Sequence, residues 1–551
     1  MKFTRQPSRA GNVILLSFFG WLVAAGVHAA APDFRWAQRA GGFAREYGTD
    51  IGLDPAGNSH VLGRFTSTNL VFGSTTLTNG GLFLATYDAA GNVMWARQIG
   101  TTIDLDRFGG QSADCRIAVD GGGNTFVGGW FRPPGTITFE SVTITNDTAN
   151  NPDFFLAKYD AAGNFVWARK AGSDGTPNSI RALALTADSA GNCYLTGDYV
   201  DAPSLGLTNQ SGFLGWFTAK FGGDGSLIWS RPMARVQSAY YTRAIATDSQ
   251  GGYFVAGALS DSTVTFDNIT LTNPSSITFD IYTVRYNSAG TLMWAKRCGS
   301  VGTDYLEGLA VDAAGNCFLS MYTASATIFD NFQVTNGGYC LAKYDPNGNG
   351  LWCRNTSTNA STLRSATDAL GNSYVLGYFL GLATFDGLTL TNNGSAMYPS
   401  IFHPPNFLAK FDPAGRTLWA KQFGGGDTEY DYSVKGGLAV DAAGNCRITG
   451  FIHITNAVFD SFVLGVLGTD EDAYVAGLDA EPPRLELARA GNALILAWPT
   501  NQPNFGLEFA TGLDQPNGWS PVTNATTLVG FQNFVTNLIT TDPRYYRLRK
   551  E

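Results

Sequence analysis

From about residue 34 onward, apolar and polar positions alternate in short runs such as SHVLGRF (from Ser59) and VMWARQI (from Val93), rich in branched and aromatic residues. That content and period predict β-strands, and helical periodicity of any length is absent after the first thirty residues. The runs are punctuated by an Asp-opened, Gly-closed turn that recurs seven times: at Asp54 (DPAGN), Asp120 (DGGGN), Asp188 (DSAGN), Asp248 (DSQGG), Asp312 (DAAGN), Asp368 (DALGN) and Asp441 (DAAGN). Asp caps such a turn with its own side chain, and Gly supplies the positive φ that closes it. The copies lie roughly 55 to 75 residues apart, close to a four-stranded propeller blade with generous loops.

Each copy has a second half. FLATYDAAGNVMWARQIG (from Phe83) recurs as FFLAKYDAAGNFVWARKAG, YTVRYNSAGTLMWAKRCG and FLAKFDPAGRTLWAKQFG. One unit therefore reads as two hairpins, four strands in all. Trp36, Trp95, Trp167, Trp229, Trp294, Trp352 and Trp419 share one place in the last strand. Trp36 precedes any complete unit, whereas the final unit stops at its third strand, DAYVAGLDA (Asp472 to Ala480). An orphan strand at one end and a missing one at the other predict a ring closed by pairing the two ends, which removes an exposed edge. The expectation is an all-β, seven-bladed propeller over 34–480.

The layout resembles the bacterial SBBP family of β-propeller repeats, whose pattern runs roughly "giavDssGnvyvtG…fvakld.dGslvW". The residues that carry it are GLAVDAAGNCFLS (from Gly308), GLAVDAAGNCRITG (from Gly437) and FLAKYDAAGNFVW (from Phe155), and the resemblance extends from about Phe34 to Asp479. It implies the fold and little about activity. This chain departs from the pattern in an extra element between hairpins: VFGSTTLTN, TFESVTITN, TFDNITLTN, IFDNFQVTN and TFDGLTLTN, shortened once to SLGLTN.

The two ends read differently. Residues 1–29 combine Lys2, Arg5 and Arg9 with an apolar run, Val13 to Val27, too short to span a bilayer, and small residues at Val27-His28-Ala29. A signal peptide is expected, hence a secreted, cell-surface or periplasmic protein with no transmembrane segment. After Pro482 the pattern changes to a module of about seventy residues containing Trp498 and Trp519. Residues 483–551 resemble the small β-sandwich modules, similar to fibronectin type III, that end many exported bacterial proteins.

Composition narrows function by exclusion. A net charge of −9 argues against nucleic acid, which needs a basic stripe. Seven cysteines give no disulfide framework; Cys193, Cys317 and Cys446 occupy one repeat position and read as small packed side chains. A Cys340–Cys353 pair across a hairpin is not expected. Three enzymatic readings are open to weighing. DAAGNVMWA is similar to the Trp repeat of quinoprotein dehydrogenases, but no vicinal cysteine pair accompanies it. It is also similar to the Asp box of sialidases, a turn-former rather than a catalytic group. A His-based hydrolase or lyase is poorly supplied, since His60, His403 and His453 each stand alone, and no HExxH, GxSxG or CxxC motif occurs.

Binding suits the fold better. In this strand order the Asp-x-x-Gly turns share one face, and the connections between hairpins and between blades share the other. The inter-blade connections bring Asp104, Asp106, Asp304, Glu307, Asp427, Glu429 and Asp431, with Tyr305, Tyr430 and Tyr432 nearby. Carboxylates beside tyrosines suit a sugar, or a cation site for calcium; otherwise no cofactor is expected. The same acids would suit a cationic partner. A long connection, 392–407, adds Tyr398, Phe402 and His403, an apolar load unusual for a loop. The reading is a non-catalytic binding or scaffolding propeller whose partner is a glycan or a protein. The alternative is an extracellular polysaccharide-active enzyme using carboxylates of the same face.

Overall fold

In the computed structural model the described residues are 30–100, 115–131, 135–146, 152–171, 180–200, 205–207, 214–236, 242–275, 277–391, 405–424, 436–452, 457–466, 471–483, 485–499, 505–512, 518–529, 532–539 and 544–550. The first 29 residues, and with them the expected signal peptide, lie outside these.

Among the described residues, every regular element from Phe34 on is a strand. The first sheet comprises Glu46–Leu53, Ser59–Phe65, Gly81–Tyr87 and Val93–Gln98; the second, Arg116–Val119, Thr125–Phe131, Asp153–Tyr159 and Phe165–Ala171. The third runs Ile180–Ala187, Cys193–Tyr199, Leu214–Phe221, Leu227–Val236, and the fourth Thr242–Thr247, Tyr253–Leu259, Asp280–Tyr286, Leu292–Cys298. The fifth and sixth share one 18-residue strand, Gly350–Thr367, which is the last strand of one and the first of the next. It joins Tyr305–Val311, Cys317–Thr323 and Gly338–Tyr344 to Ser373–Phe385, Asn406–Phe411 and Thr417–Phe423. The seventh is Gly437–Val440, Cys446–Ile452, Asp472–Leu478 and, as its outer strand, Phe34–Ala40.

The expected closure is therefore present: Phe34 pairs with Leu478, Trp36 with Gly477 and Ala40 with Ala473, all antiparallel. The first strand of each sheet packs on that of the next, and the seventh packs back on the first. No sheet edge in this circuit is left by the chain ends, and the architecture is a β-propeller.

The Asp turns hold as their chemistry predicts. One Asp54 carboxylate oxygen accepts the N–H groups of Ala56 and Asn58 at 2.9 and 2.8 Å, and the other accepts the Asn58 amide at 2.7 Å. Turns at Asp312 and Asp441 repeat this pattern. The turn of the second hairpin docks against the preceding sheet's Trp. Trp294 donates its indole N–H to Pro346 at 3.1 Å, and Trp36, Trp95, Trp167 and Trp352 make the same bond to their neighbours. Gly348 sits under the Trp294 ring with φ of +82°, and a Cβ there would stand 2.8 Å from the ring, so both conformation and space demand glycine.

A second layer of repeat chemistry was not visible in the motif. A cation from the third strand covers an aromatic ring of the second strand and reaches the turn Asp. Lys343 lies 4.4 Å from the Phe318 ring and 3.4 Å from Asp312; Lys158 with Phe126 and Asp120, Lys220 with Tyr194 and Asp188, and Arg285 with Phe254 and Asp248 do likewise. Burial pulls the Lys343 amine below its usual range, with Asp312 opposing. In the first and seventh sheets the third strand offers Thr86 and Gly477 instead, and the nitrogen-bearing side chain comes from the second strand. There His60 approaches Asp54 at 3.6 Å, and Arg447 lies 5.5 Å from the Trp36 ring.

The extra elements between hairpins are short two-stranded ribbons such as Asn69–Phe72 with Thr75–Thr78 and Thr327–Phe329 with Phe332–Val334. Their Phe72, Phe139, Phe266, Phe329, Phe385 and Phe459 are buried. Most straddle a boundary, packing on the last strand of their own sheet and of the one before.

All seven cysteines are free thiols, and burial pushes those of Cys193, Cys317 and Cys446 well above the usual range. Beyond the circuit, a four-stranded sheet (Glu486–Ala490, Ala493–Pro499, Gln532–Leu538, Thr527–Val529) and a three-stranded sheet (Ser520–Pro521, Phe505–Ala510, Tyr545–Lys550) share a core of Leu496, Trp498, Leu507 and Val535.

Candidate functional site

The face opposite the Asp turns is built from the connections that enter the first strands. Asp104, Asp106, Asp427, Glu429, Asp431, Tyr430, Tyr432, Tyr398, Phe402 and His403 lie outside the described residues. The structure places the other three, Asp304, Tyr305 and Glu307, together at the top of the fifth sheet.

Asp304 is fully buried. Its carboxylate accepts the Ser300 N–H at 2.5 Å, the Ser300 hydroxyl at 2.8 Å and the Ala324 N–H at 3.0 Å, while its own N–H donates to the Phe279 carbonyl at 2.7 Å. It therefore ties the connection between the fourth and fifth sheets, and this use removes it from the solvent-facing set. Asp280 stands beside it, paired with Arg297. Burial raises both carboxyls above the usual range, against the hydrogen bonds that favour ionisation.

The same device recurs where the ring closes. Glu46 is buried, accepts the Gly42 N–H at 2.9 Å and faces Asp472, which pairs with Arg39 at 3.6 Å; Arg45 reaches Glu471 at 3.4 Å. Burial pushes the Glu46 carboxyl up to about 7, Ser67 and Gly42 oppose this, and Asp472 adds to it. Two adjacent buried carboxyls ionise together only at a cost, which is why the neighbouring carboxyl adds to the effect of burial at each seam. Sequence reading missed these pairs because Asp280 and Asp472 lie at the start of third strands, far along the chain from their partners. The signal available was the recurrence of Asp there together with Lys or Arg in the fourth strand: Asp153 with Lys170, Asp280 with Arg297, Asp472 with Arg39.

Tyr305 and Glu307 remain accessible. In five first strands the register slips at one place, between Gly48/Asp50, Ala182/Ala184, Thr242/Ala244, Leu306/Gly308 and Thr362/Arg364. Glu307 is the extra residue of its bulge and is half-buried. Bulges re-aim side chains, and this one does so at the inner strand. Tyr305 is 37% exposed and opens a run of ring contacts: 6.3 Å to Phe279, 6.3 Å to Tyr322, and from Tyr322 5.1 Å to Tyr339. The upper edge of the fifth sheet thus carries adjacent tyrosines on three hydrogen-bonded strands, with a carboxylate one pleat inward. Among the described residues no three His, Cys, Asp or Glu side chains converge as a metal site would require.

Strand pairing defines the class of the protein, a β-propeller of repeated four-stranded antiparallel sheets. No family model matches the chain. Among curated proteins it is 22% identical over 527 residues to an uncharacterized WD repeat-containing protein of Acanthamoeba polyphaga mimivirus, covering 79% of this chain and 36% of that protein. It is 25% identical over 259 residues to the regulatory protein FlaEY of Caulobacter vibrioides, covering 44% of this chain and 26% of the other. The chain thus matches about a third or less of the length of these relatives. Among solved structures, the WD40 repeats of RRP9 cover 82% of this chain and 99% of their own at 8% identity with a TM-score of 0.39. A puromycin hydrolase covers 86% of this chain and 63% of its own at 12% identity with a TM-score of 0.38. Among the described residues no helix is long and apolar enough to cross a membrane.

Proposed function

We propose that the protein is an exported, seven-bladed binding or scaffolding propeller whose upper face engages a glycan or a protein. The observation that carries this is the tyrosine edge of the fifth sheet. Tyrosine offers a flat apolar ring and a polar tip, the combination that stacks on sugar rings and anchors protein partners. It stands on strands held by buried seams, so little order has to be gained on binding. The buried acids next to it are taken up by the connections, which favours recognition over carboxylate catalysis. Residues 483–551 would form a fibronectin-like module that serves as a spacer, a partner-binding element or a surface-retention element.

The test is a glycan array and a pull-down with the mature chain, repeated with Tyr305→Ala. Binding that the variant loses supports the reading. Turnover of a polysaccharide by the wild-type protein would move it to the enzymatic alternative.

A further inference from the structure

Sulfur gathers in one part of this protein. The core between the fourth and fifth sheets holds Cys298, Cys317, Met321 and Cys340, with Cys353 packed against it. Met321 stands directly opposite Cys340 on the neighbouring strand. Cys298, at the end of the fourth sheet's outer strand, reaches the Met321 sulfur at 3.8 Å. Cys340 pairs in register with Asn355 and Cys353 with Ala342, so Met321, Cys340 and Cys353 share one face of the fifth sheet, the two cysteines as diagonal neighbours.

The Cys353 thiol donates to the Cys340 sulfur, and the Cys340 thiol donates to the Asn355 amide oxygen at 3.0 Å. This chain draws the Cys340 thiol below its usual range, with burial opposing, and pushes the Cys353 thiol up. Diagonal neighbours stand about 7–8 Å apart between Cα atoms, wider than a disulfide bridges without backbone movement. An ion held between the two sulfurs fits that spacing. Two thiols and a thioether form a donor set that suits a soft cation, and it falls short of the four ligands of a structural zinc.

We propose that Cys340, Cys353 and Met321 form a site for a soft monovalent cation of the copper(I) type, held by two thiolates with the thioether as third donor. On binding, two sulfur–metal bonds form and the two thiol protons leave to solvent; no electron is transferred. Cys353 is half-buried whereas the other six cysteines are buried, so the ion enters from the outer strand. Tyr339 directly precedes Cys340, and the bound ion would cross-link the strands beneath the tyrosine edge.

Calorimetric titration of the mature chain with silver(I), a redox-inert stand-in, tests this, with copper(I) as its acetonitrile complex under argon in a second series. One equivalent should bind, release protons as read from the dependence on buffer ionisation heat, and raise the melting temperature. Cys353→Ser, at a half-buried position, should abolish this step, while Cys193→Ala in the third sheet leaves it unchanged. Met321→Leu keeps the volume and should weaken binding by roughly 10- to 100-fold, the range seen when a supporting partner is lost. No stoichiometric binding of either ion, an unchanged isotherm in a folded Cys353→Ser variant, or wild-type affinity in Met321→Leu would each overturn the proposal.

Discussion

The two faces of the propeller use the same residue types to different ends. On the turn face, Asp, Asn, Gly, Trp and a covered cation repeat around the circuit, and their polar groups are consumed within the fold. On the opposite face the buried acids of two seams are likewise consumed, but Tyr305 and Glu307 beside them stay accessible. The difference teaches that an acidic residue in a connection says little about binding until its burial is known. Asp304 and Glu307 are three residues apart, and one ties a loop while the other is the extra residue of a bulge.

The largest expected effect breaks the circuit itself. Deleting residues 34–42 removes the strand paired with Asp472–Leu478 and the Trp36 contact to the first sheet. The truncated chain should lose its cooperative melt or aggregate on size-exclusion chromatography. A wild-type melting curve would show that closure contributes nothing. Next, Trp294→Ala should cost roughly 3–5 kcal/mol in urea denaturation, the usual range for a buried aromatic. It removes the wedge between the fourth and fifth sheets, so a near-zero change would place this ring on the binding side of the comparison.

The contrast between faces is sharpened by two neighbours. Asp304→Ala strips three hydrogen bonds from one buried connection and should cost about 1–3 kcal/mol. Tyr305→Ala should stay within about 0.5 kcal/mol of wild type while affecting ligand capture. Thermal melts of both variants check this, and equal destabilisation would erase the distinction. A last difference between the faces is titration at the closing seam. Glu46 holds its proton up to about pH 7 in the folded protein, against an ordinary value of 4.5 in the unfolded chain. Between those values the folded state binds more protons, so its stability falls as pH rises through that window. Glu46→Gln should flatten this part of the pH–melting profile.

Much of the fold was legible in sequence because its signals are local. An Asp-x-x-Gly turn closes through atoms within five residues, and strand alternation follows from the pleat. Even ring closure could be read, since an orphan Trp strand and a missing one are visible at the two ends. The candidate site was legible only as a set of connections. The tyrosine edge includes Tyr322 and Tyr339, which carry no motif and come together through cross-strand pairing.

By itself, then, the sequence determined the repeat, the strand order, the turn chemistry and the closing strand, all consequences of short-range hydrogen bonding and hydrophobic period. Only the tertiary structure decided which acids are buried, where the first strands bulge, and which strand supplies the basic side chain beside each turn. Those outcomes depend on burial and on contacts between residues dozens to hundreds of positions apart, where desolvation rather than residue type sets what a charged group can do.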